Sequence, residues 1–410
     1  MPRILLLIPT RTYRTKAFMR AAQRLKAEVV VGSERPQVLA RSRPGTTAVI
    51  DFRHPDRAAA QAAALVQERP FDAVVGVDDA TSIAAASAAA ALGLPHNDVA
   101  AVKATRNKAL MRRMLVGADV LTPWFEVVSL DDDITAISER VQYPCVVKPI
   151  FLSGSRGVIR ANDAGEFQAA IERVRAILVE PDVAAEGGID ARKLLVEGFI
   201  PGIEVALEGI LISSNLKVLA LFDKPDPLDG PYFEETIYVT PSRLPDDQQR
   251  QVVDATARGA SALGLREGPV HAELRVNHDG AWIVEIAARS IGGLCSNTLE
   301  FSGGATLEEL ILLHAVGADV SNFEREPEPS GVMMLPTPRA GMLRGVRGVE
   351  EARAVPGIVD VTISIPVGER LVPLPEGNRY LGFVFARGES AGQVEAALRE
   401  AHHRLDFDIS

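Results

Sequence analysis

The sequence predicts an α/β protein built from several packed units, and three observations carry the prediction. Short apolar strands alternate with helices at the start of the chain. Strand–turn–strand patterns bearing charged residues follow in the middle, and the segment after Ser330 turns strand-rich. A 410-residue chain is too long for one core and suits roughly two to four units.

Composition narrows the function before any motif does. The chain is 47% hydrophobic and 24% charged, ordinary values for a folded protein. Its net charge of −10 argues against a nucleic-acid partner, which would want a basic face. Cys145 and Cys295 lie far apart and form no metal or redox motif; with no signal peptide evident, they point to a cytoplasmic location. The uncharged stretch Ala80 to Pro95 is mostly Ala and Ser, too weakly apolar for a membrane span. Small-molecule chemistry is the default, and a homodimer is the default assembly.

Taken in order, Ile4–Ile8 reads as a strand, Thr15–Lys26 as a helix, and Glu28–Val31 as a second strand. Ala58–Glu68 reads as a helix, Ala73–Val77 as a third strand, and Ile83–Leu92 as an Ala-rich helix closed by Gly93 and Pro95. Apolar strands separated by helices predict a parallel, doubly wound sheet in residues 1–100. No G-x-G-x-x-G follows the first strand, and no G-x-x-x-x-G-K-[ST] occurs anywhere, which excludes the two commonest nucleotide loops. Residues 101–120 read as a linker helix capped by Thr105 and ending at Gly117. A central unit is expected over 121–211, with strands at Pro144–Lys148, Leu194–Glu197 and Glu204–Ile212 and a helix near Glu166–Leu178. A third unit spans 212–328, interrupted by a Pro- and acid-rich stretch, Asp223–Pro245, that reads as a functional loop. Residues 329–410 form the strand-rich tail (Val332–Leu335, Ile358–Ile365, Phe383–Ala386) and end in a helix at Gln393–Arg404.

The segment from His271 to Arg289 reads as a β-hairpin. A three-residue loop of His278, Asp279 and Gly280 would pair Asn277 with Ala281, which sets Glu273 directly opposite Glu285. Like charges facing each other destabilise a sheet, so the pair asks for a cation, and hard oxygen ligands at that separation suit Mg²⁺ carrying phosphates. The same face receives His271, Arg275 and, if the strand runs so far, Arg289. Two plainer readings stand beside this one. The glutamates are solvated, or a two-residue turn at Asp279-Gly280 sends them to opposite faces.

Three further features bear on phosphate and nucleotide. Lys148 ends a strand and is followed by Ser153-Gly154-Ser155-Arg156-Gly157-Val158, a loop whose backbone N–H groups can turn toward an anion; the plain alternative is a surface turn. Lys108 falls in the first turn of the linker helix, where a cation opposes the helix dipole unless something anionic lies nearby. Glu197 ends one strand and Glu204 begins the next across a Pro-Gly turn, whose backbone groups can read a purine edge or whose residues form an ordinary hairpin.

In this order the motifs resemble the ATP-grasp superfamily over nearly the whole chain, and within it the carboxylate–amine ligases of the L-amino acid ligase type. Thr12-Tyr13-Arg14-Thr15, the Lys148–Val158 stretch and Glu285 through Gly293 carry the narrower likeness. The resemblance implies an amino-terminal doubly wound α/β domain, a central ATP-grasp lid, a carboxy-terminal α+β domain and an extra strand-rich subdomain. It further implies that Lys108, Lys148 and Ser153–Val158 hold ATP phosphates, that Glu197 and the backbone to Phe199 meet adenine, and that Glu204 meets the ribose. Glu273 and Glu285 would ligate Mg²⁺, Arg289 would stabilise an acyl phosphate, and Glu235 would hold the amino group of the first amino acid. Ala287 stands where many ATP-grasp enzymes carry an asparagine. Some dipeptide ligases also place a histidine near Tyr238, and here His271 is the nearest candidate for handling the amine's proton. The implied activity is ATP-dependent amide or peptide bond formation from small-molecule substrates, with amino acids expected. A non-amino-acid carboxylate as substrate, or a non-catalytic ATP-binding role, is the alternative.

Overall fold

The computed structural model describes residues 1–37, 45–66 and 69–410. The first unit contains β1 (Arg3–Leu7), α1 (Thr15–Arg24), β2 (Glu28–Ser33), β3 (Thr47–Val49), α2 (Pro55–Ala64), β4 (Ala73–Gly76) and α3 (Asp79–Ala91). Its four strands are parallel in the order β3-β2-β1-β4. Alternation along β1 explains why the strand is apolar throughout. Ile4 and Leu6 pack with Phe18 and Ala22 of α1, while Leu5 and Leu7 pack with Ala58, Ala62 and Ala84 of α2 and α3. The expected extension of the second helix to Glu68 reaches residues 67–68, outside the described residues.

The linker is two helices, not one: α4 (Val99–Arg106) and α5 (Lys108–Gly117). Thr105 is not a cap. Its hydroxyl donates to the Val102 carbonyl inside α4, and Asn107, in extended conformation, accepts from the Leu110 N–H at 2.9 Å and starts α5. Lys108 is therefore the first residue of its helix.

The lid contains β5 (Phe125–Ser129), α6 (Ile134–Arg140), β6 (Cys145–Pro149), β7 (Ile159–Ala161), α7 (Ala164–Leu178), α8 (Pro181–Gly187) and β8 (Lys193–Gly198). Its antiparallel sheet has the order β5-β8-β6-β7, with one face packed on Phe167, Ile171 and Val174 of α7.

The largest layer is an eight-stranded sheet, built first from β9 (Ile203–Ile212), β10 (Asn215–Asp223), β11 (Ile237–Thr240), β12 (Gly268–Asn277), β13 (Gly280–Ala287) and β14 (Ser330–Leu335). Helices α9 (Asp246–Ala262) and α10 (Leu307–Ala315) belong to this unit. The tail adds β15 (Gly341–Arg347), α11 (Val349–Arg353), β16 (Ile358–Ile363), β17 (Arg370–Leu371), β18 (Gly382–Arg387), α12 (Ala391–Arg404) and β19 (Asp406–Ile409). The order of the large sheet is β13-β12-β9-β10-β11-β14-β18-β16.

Three differences from the sequence reading follow from this pairing. Strand β9 was expected in the central unit, but it hydrogen-bonds along its length to β10 and β12, so Glu204 faces the cleft while Val205 and Leu207 pack behind the large sheet. The tail is likewise continuous with that sheet through β14, β18 and β16, and only β17, β15 and β19 form a sheet of their own. Part of the expected Asp223–Pro245 loop is also strand, since β11 pairs with β14. Among the described residues no helix is long and apolar enough to cross a membrane.

Candidate active site

Strands β9, β11, β12 and β13 form the floor of a cleft of about 600 Å³, with the lid on one side and the first unit on another. The hairpin register decides what faces it. The turn is tighter than expected: Asn277 pairs with Gly280, leaving His278 and Asp279 as a two-residue loop. Continued regularly, that register would put Glu273 and Glu285 on opposite faces. A bulge intervenes, with Val284 unpaired between Ile283 and Glu285, and Glu273 pairs with Glu285 after all. The Val284 carbonyl, released from the ladder, accepts a hydrogen bond from Arg112 at 2.9 Å.

Arg112 lies one turn beyond Lys108 on α5 and is buried to 1% exposure. Its guanidinium grips Glu197 at 2.9 and 3.3 Å, and Lys148 approaches the same carboxylate at 2.5 Å. Burial alone would push Glu197 up, but Arg112 and then Lys148 bring it down to about 2. Lys148 fares differently. Burial pulls it down, its share of Glu197 returns only part, and the neighbouring Arg112 and Lys108 lower it further, to about 8. One carboxylate shared between two buried cations leaves the site short of negative charge. Lys108 adds to this: its ammonium donates to the Leu152 carbonyl at 2.7 Å and stands 3.7 Å from Glu285.

On the other side of the cleft the balance reverses. Glu204, Glu235 and Glu273 bring carboxylate oxygens within 4.8 Å of one another. Lys224, the residue after β10, sits among them at 2.9, 2.5 and 3.5 Å. Burial would lower Lys224, but the three carboxylates hold it well above its usual value. Burial raises Glu273, yet Lys224 and His271 draw it down to about 2; burial and the Glu273 charge raise Glu235 despite Lys224. Glu235 also accepts from the Tyr238 hydroxyl at 2.8 Å, and Glu204 from Arg275 at 2.8 Å.

His271 lies between two carboxylates, Nδ1 3.1 Å from Glu208 and Nε2 3.5 Å from Glu273. Burial would lower it, but those two carboxylates outweigh burial and raise it above the ordinary imidazole value. Arg289 reaches out of the hairpin to Asp79, the first residue of α3, at 3.0 Å, and Arg106 holds the other Asp79 oxygen at 3.3 Å. Burial is outweighed at both ends of this bridge, lowering Asp79 and raising Arg289.

Of the glycine loop, Ser153, Gly154, Ser155 and Val158 line the cleft, whereas Arg156 and Gly157 face away from it. Lys108, Lys148, Glu197, Phe199, Glu204 and Glu235 also line it, as do His271, Glu273, Glu285 and Arg289. The sequence reading missed Arg112, Lys224, Glu208 and Asp79. Signals for three were present: Arg112 is four residues past Lys108, Lys224 precedes a proline as Lys148 does, and Asp79 opens a helix after an apolar strand. Glu208 carried none, because a buried carboxylate inside an apolar strand is legible only through its cross-strand neighbour His271.

Three family descriptions match the chain: an ATP-grasp N-terminal domain over 19–96, an ATP-grasp domain over 141–298, and L-amino acid ligase C-terminal domain 2 over 333–410. The crystal structure of L-amino acid ligase from Bacillus licheniformis superposes with a TM-score of 0.81 at 25% identity, covering 100% of this chain and 99% of that one. An uncharacterized protein of Sinorhizobium fredii, y4rH, is 25% identical over 321 residues, 77% of this chain and 64% of its own length. Alanine–anticapsin ligase of Bacillus subtilis is 27% identical over 261 residues, 60% of this chain and 53% of its own length. The chain thus spans between half and two thirds of these two relatives. With the ATP-grasp fold along its whole length, this chain belongs to the ATP-grasp family and shares its carboxy-terminal domain with L-amino acid ligases.

Proposed function

We propose that the protein is an ATP-dependent ligase that joins a carboxylate to an amine through an acyl phosphate, with amino acids as its substrates. One observation carries this reading: a single cleft sets the facing pair Glu273 and Glu285 beside Lys108, Lys148 and Arg289, under a glycine loop. Relatives named as alanine–anticapsin ligase and L-amino acid ligase support the choice of amino acids.

The donors fit a hard divalent cation. Glu273 and Glu285 offer carboxylate oxygens on one face, and the nearest cation to Glu285 is Lys108 at 3.7 Å, which leaves it free to ligate. Mg²⁺ held there would neutralise charge on the phosphates. The chain's own residues do the rest. A substrate carboxylate attacks the γ-phosphorus of ATP and ADP leaves; the amine nitrogen then attacks the acyl carbon and phosphate leaves. Lys108 and Lys148 bind phosphate oxygens, and Arg289, oriented by Asp79, meets the oxygen that gains charge at the acyl carbon. Glu235, half-buried beside Tyr238, holds the ammonium of the first amino acid. The Glu197 side chain is committed to Arg112 and Lys148, and the Gly198 and Phe199 N–H groups donate to the Trp124 and Pro144 carbonyls, so adenine is left to the backbone carbonyls there. His271, held between Glu208 and Glu273, steadies Glu273, and the amine's proton leaves with the departing phosphate.

The deciding experiment incubates the protein with Mg-ATP and pairs of amino acids, recording phosphate and product masses together. Phosphate released only with amino acids, and a mass of two amino acids less one water, is the expected result. No release with any pair moves the search to other carboxylates or to a binding role.

Lys148 makes nucleotide binding pH-dependent. In the free protein it titrates at about 8, and bound phosphates raise it, so above that pH the complex holds more protons than its parts. Titration calorimetry between pH 7 and 9, in buffers of different ionisation heat, is expected to show proton uptake and weakening affinity as pH rises. Uptake absent throughout that window would place another group on the phosphates.

A further inference from the structure

The outer side of the glycine loop is held by a part of the chain more than two hundred residues away. Residues 372–380 of the tail run beside it. The Gly157 N–H donates to the Pro375 carbonyl at 2.8 Å, and Arg156 Nε donates to the Glu376 carbonyl at 2.7 Å. Helix α7 completes the contact, as Arg173 grips both carboxylate oxygens of Glu376 at 2.5 and 3.0 Å. Its remaining nitrogen donates to the hydroxyl of Tyr232, in the loop between β10 and β11. Asn378 abuts Gly154, where an added Cβ would come within 3.3 Å of its own.

These bonds matter because the loop has little holding it from within. Gly154, Ser155 and Gly157 all have positive φ, at +65°, +54° and +73°, and the loop's internal backbone bond is Val158 N–H to Ser155 at 3.1 Å. A left-handed serine persists where its surroundings impose it. The division of the loop is also informative: the residues turned to the tail, Arg156 and Gly157, are those absent from the cleft wall. The tail takes one side and leaves Ser153, Gly154 and Ser155 presented to the cleft.

The geometry points to Glu376 and Arg173 as positioning residues that latch the glycine loop shut through the carboxy-terminal segment, so that an acyl phosphate meets the amine and not water. This rests on the ligase reading for its chemistry but not for its mechanics. With the latch open, water adds to the acyl carbon, phosphate leaves, and the carboxylate is regenerated at the cost of one ATP. Glu376 is not part of the cleft wall, and its partly exposed carboxylate contributes little to global stability.

Glu376→Gln keeps the backbone contacts of residue 376 and weakens only the grip of Arg173, so the full-length variant is expected to fold with an unchanged thermal midpoint. In ligand-free protein, amide exchange over residues 153–158 is expected to quicken by about tenfold, with lid strands β6 and β8 unaffected. With Mg-ATP and substrates, KM for ATP is expected to rise while kcat for phosphate release holds, and phosphate is expected to exceed amide product. Glu376→Asp should restore part of both. Wild-type exchange over 153–158 overturns the latch whatever the chemistry; faster exchange with one phosphate per amide overturns its role against water. If wild-type protein releases no amino-acid-dependent phosphate, the ligase reading has failed, and the exchange experiment still decides the latch.

Discussion

Replacing Glu285 with alanine is expected to lower ADP formation by roughly a thousandfold or more while leaving the thermal midpoint in place. The two halves of this expectation have separate grounds. Glu285 is partly open to the cleft and its ion-pair partner, Lys108, lies as far off as 3.7 Å, so the fold loses little with it. Removing one of two facing carboxylates even relieves repulsion across the hairpin. The chemistry loses a ligand of the ion that neutralises the phosphates. Rates measured by coupled ADP release, with melting followed on the same sample, separate the two effects. Near-normal turnover would remove Glu285 from the metal site and with it the main support for the assignment.

Glu197→Ala is expected to act the other way, on stability first. The side chain lies 4% exposed between Arg112 and Lys148, and its loss strands two buried cations. Breaking a buried ion pair from one side costs about 3–5 kcal/mol, because the remaining charge stays desolvated and unpaired. Lys148 can shed its proton, but Arg112 cannot. Urea unfolding should register the loss, and a change under about 1 kcal/mol would mean that water reaches Arg112. The same carboxylate makes wild-type stability acid-sensitive. Its pKa falls from 4.5 to about 2 on folding, so its contribution is full above pH 4.5 and disappears as pH drops toward 2.

The sequence by itself determined the local elements and the kinds of residue at the site. Short apolar strands, the Gly/Ser loop after Lys148 and the hairpin that carries Glu273 and Glu285 were all readable, because each depends on neighbours a few residues away. Tertiary structure decided how charges are shared. The hairpin is the clearest case: its turn is one residue shorter than expected, and a bulge at Val284, stabilised by an arginine on α5, restores the facing pair. Lys224 and Arg112 could be seen as lysine and arginine but not as the cations answering Glu204, Glu235, Glu273 and Glu197, since those pairings join strands and helices far apart in the chain. The same holds for β9 and for β14, β16 and β18 of the tail, which were legible singly while their sheet partners were not; β15, β17 and β19 were not expected at all. Backbone hydrogen bonds within a helix or turn are local and leave a signature in composition. Strand order, buried ion pairs and the contact of residues 372–380 with the glycine loop are settled by which distant surfaces bury together, and that is a property of the packed chain.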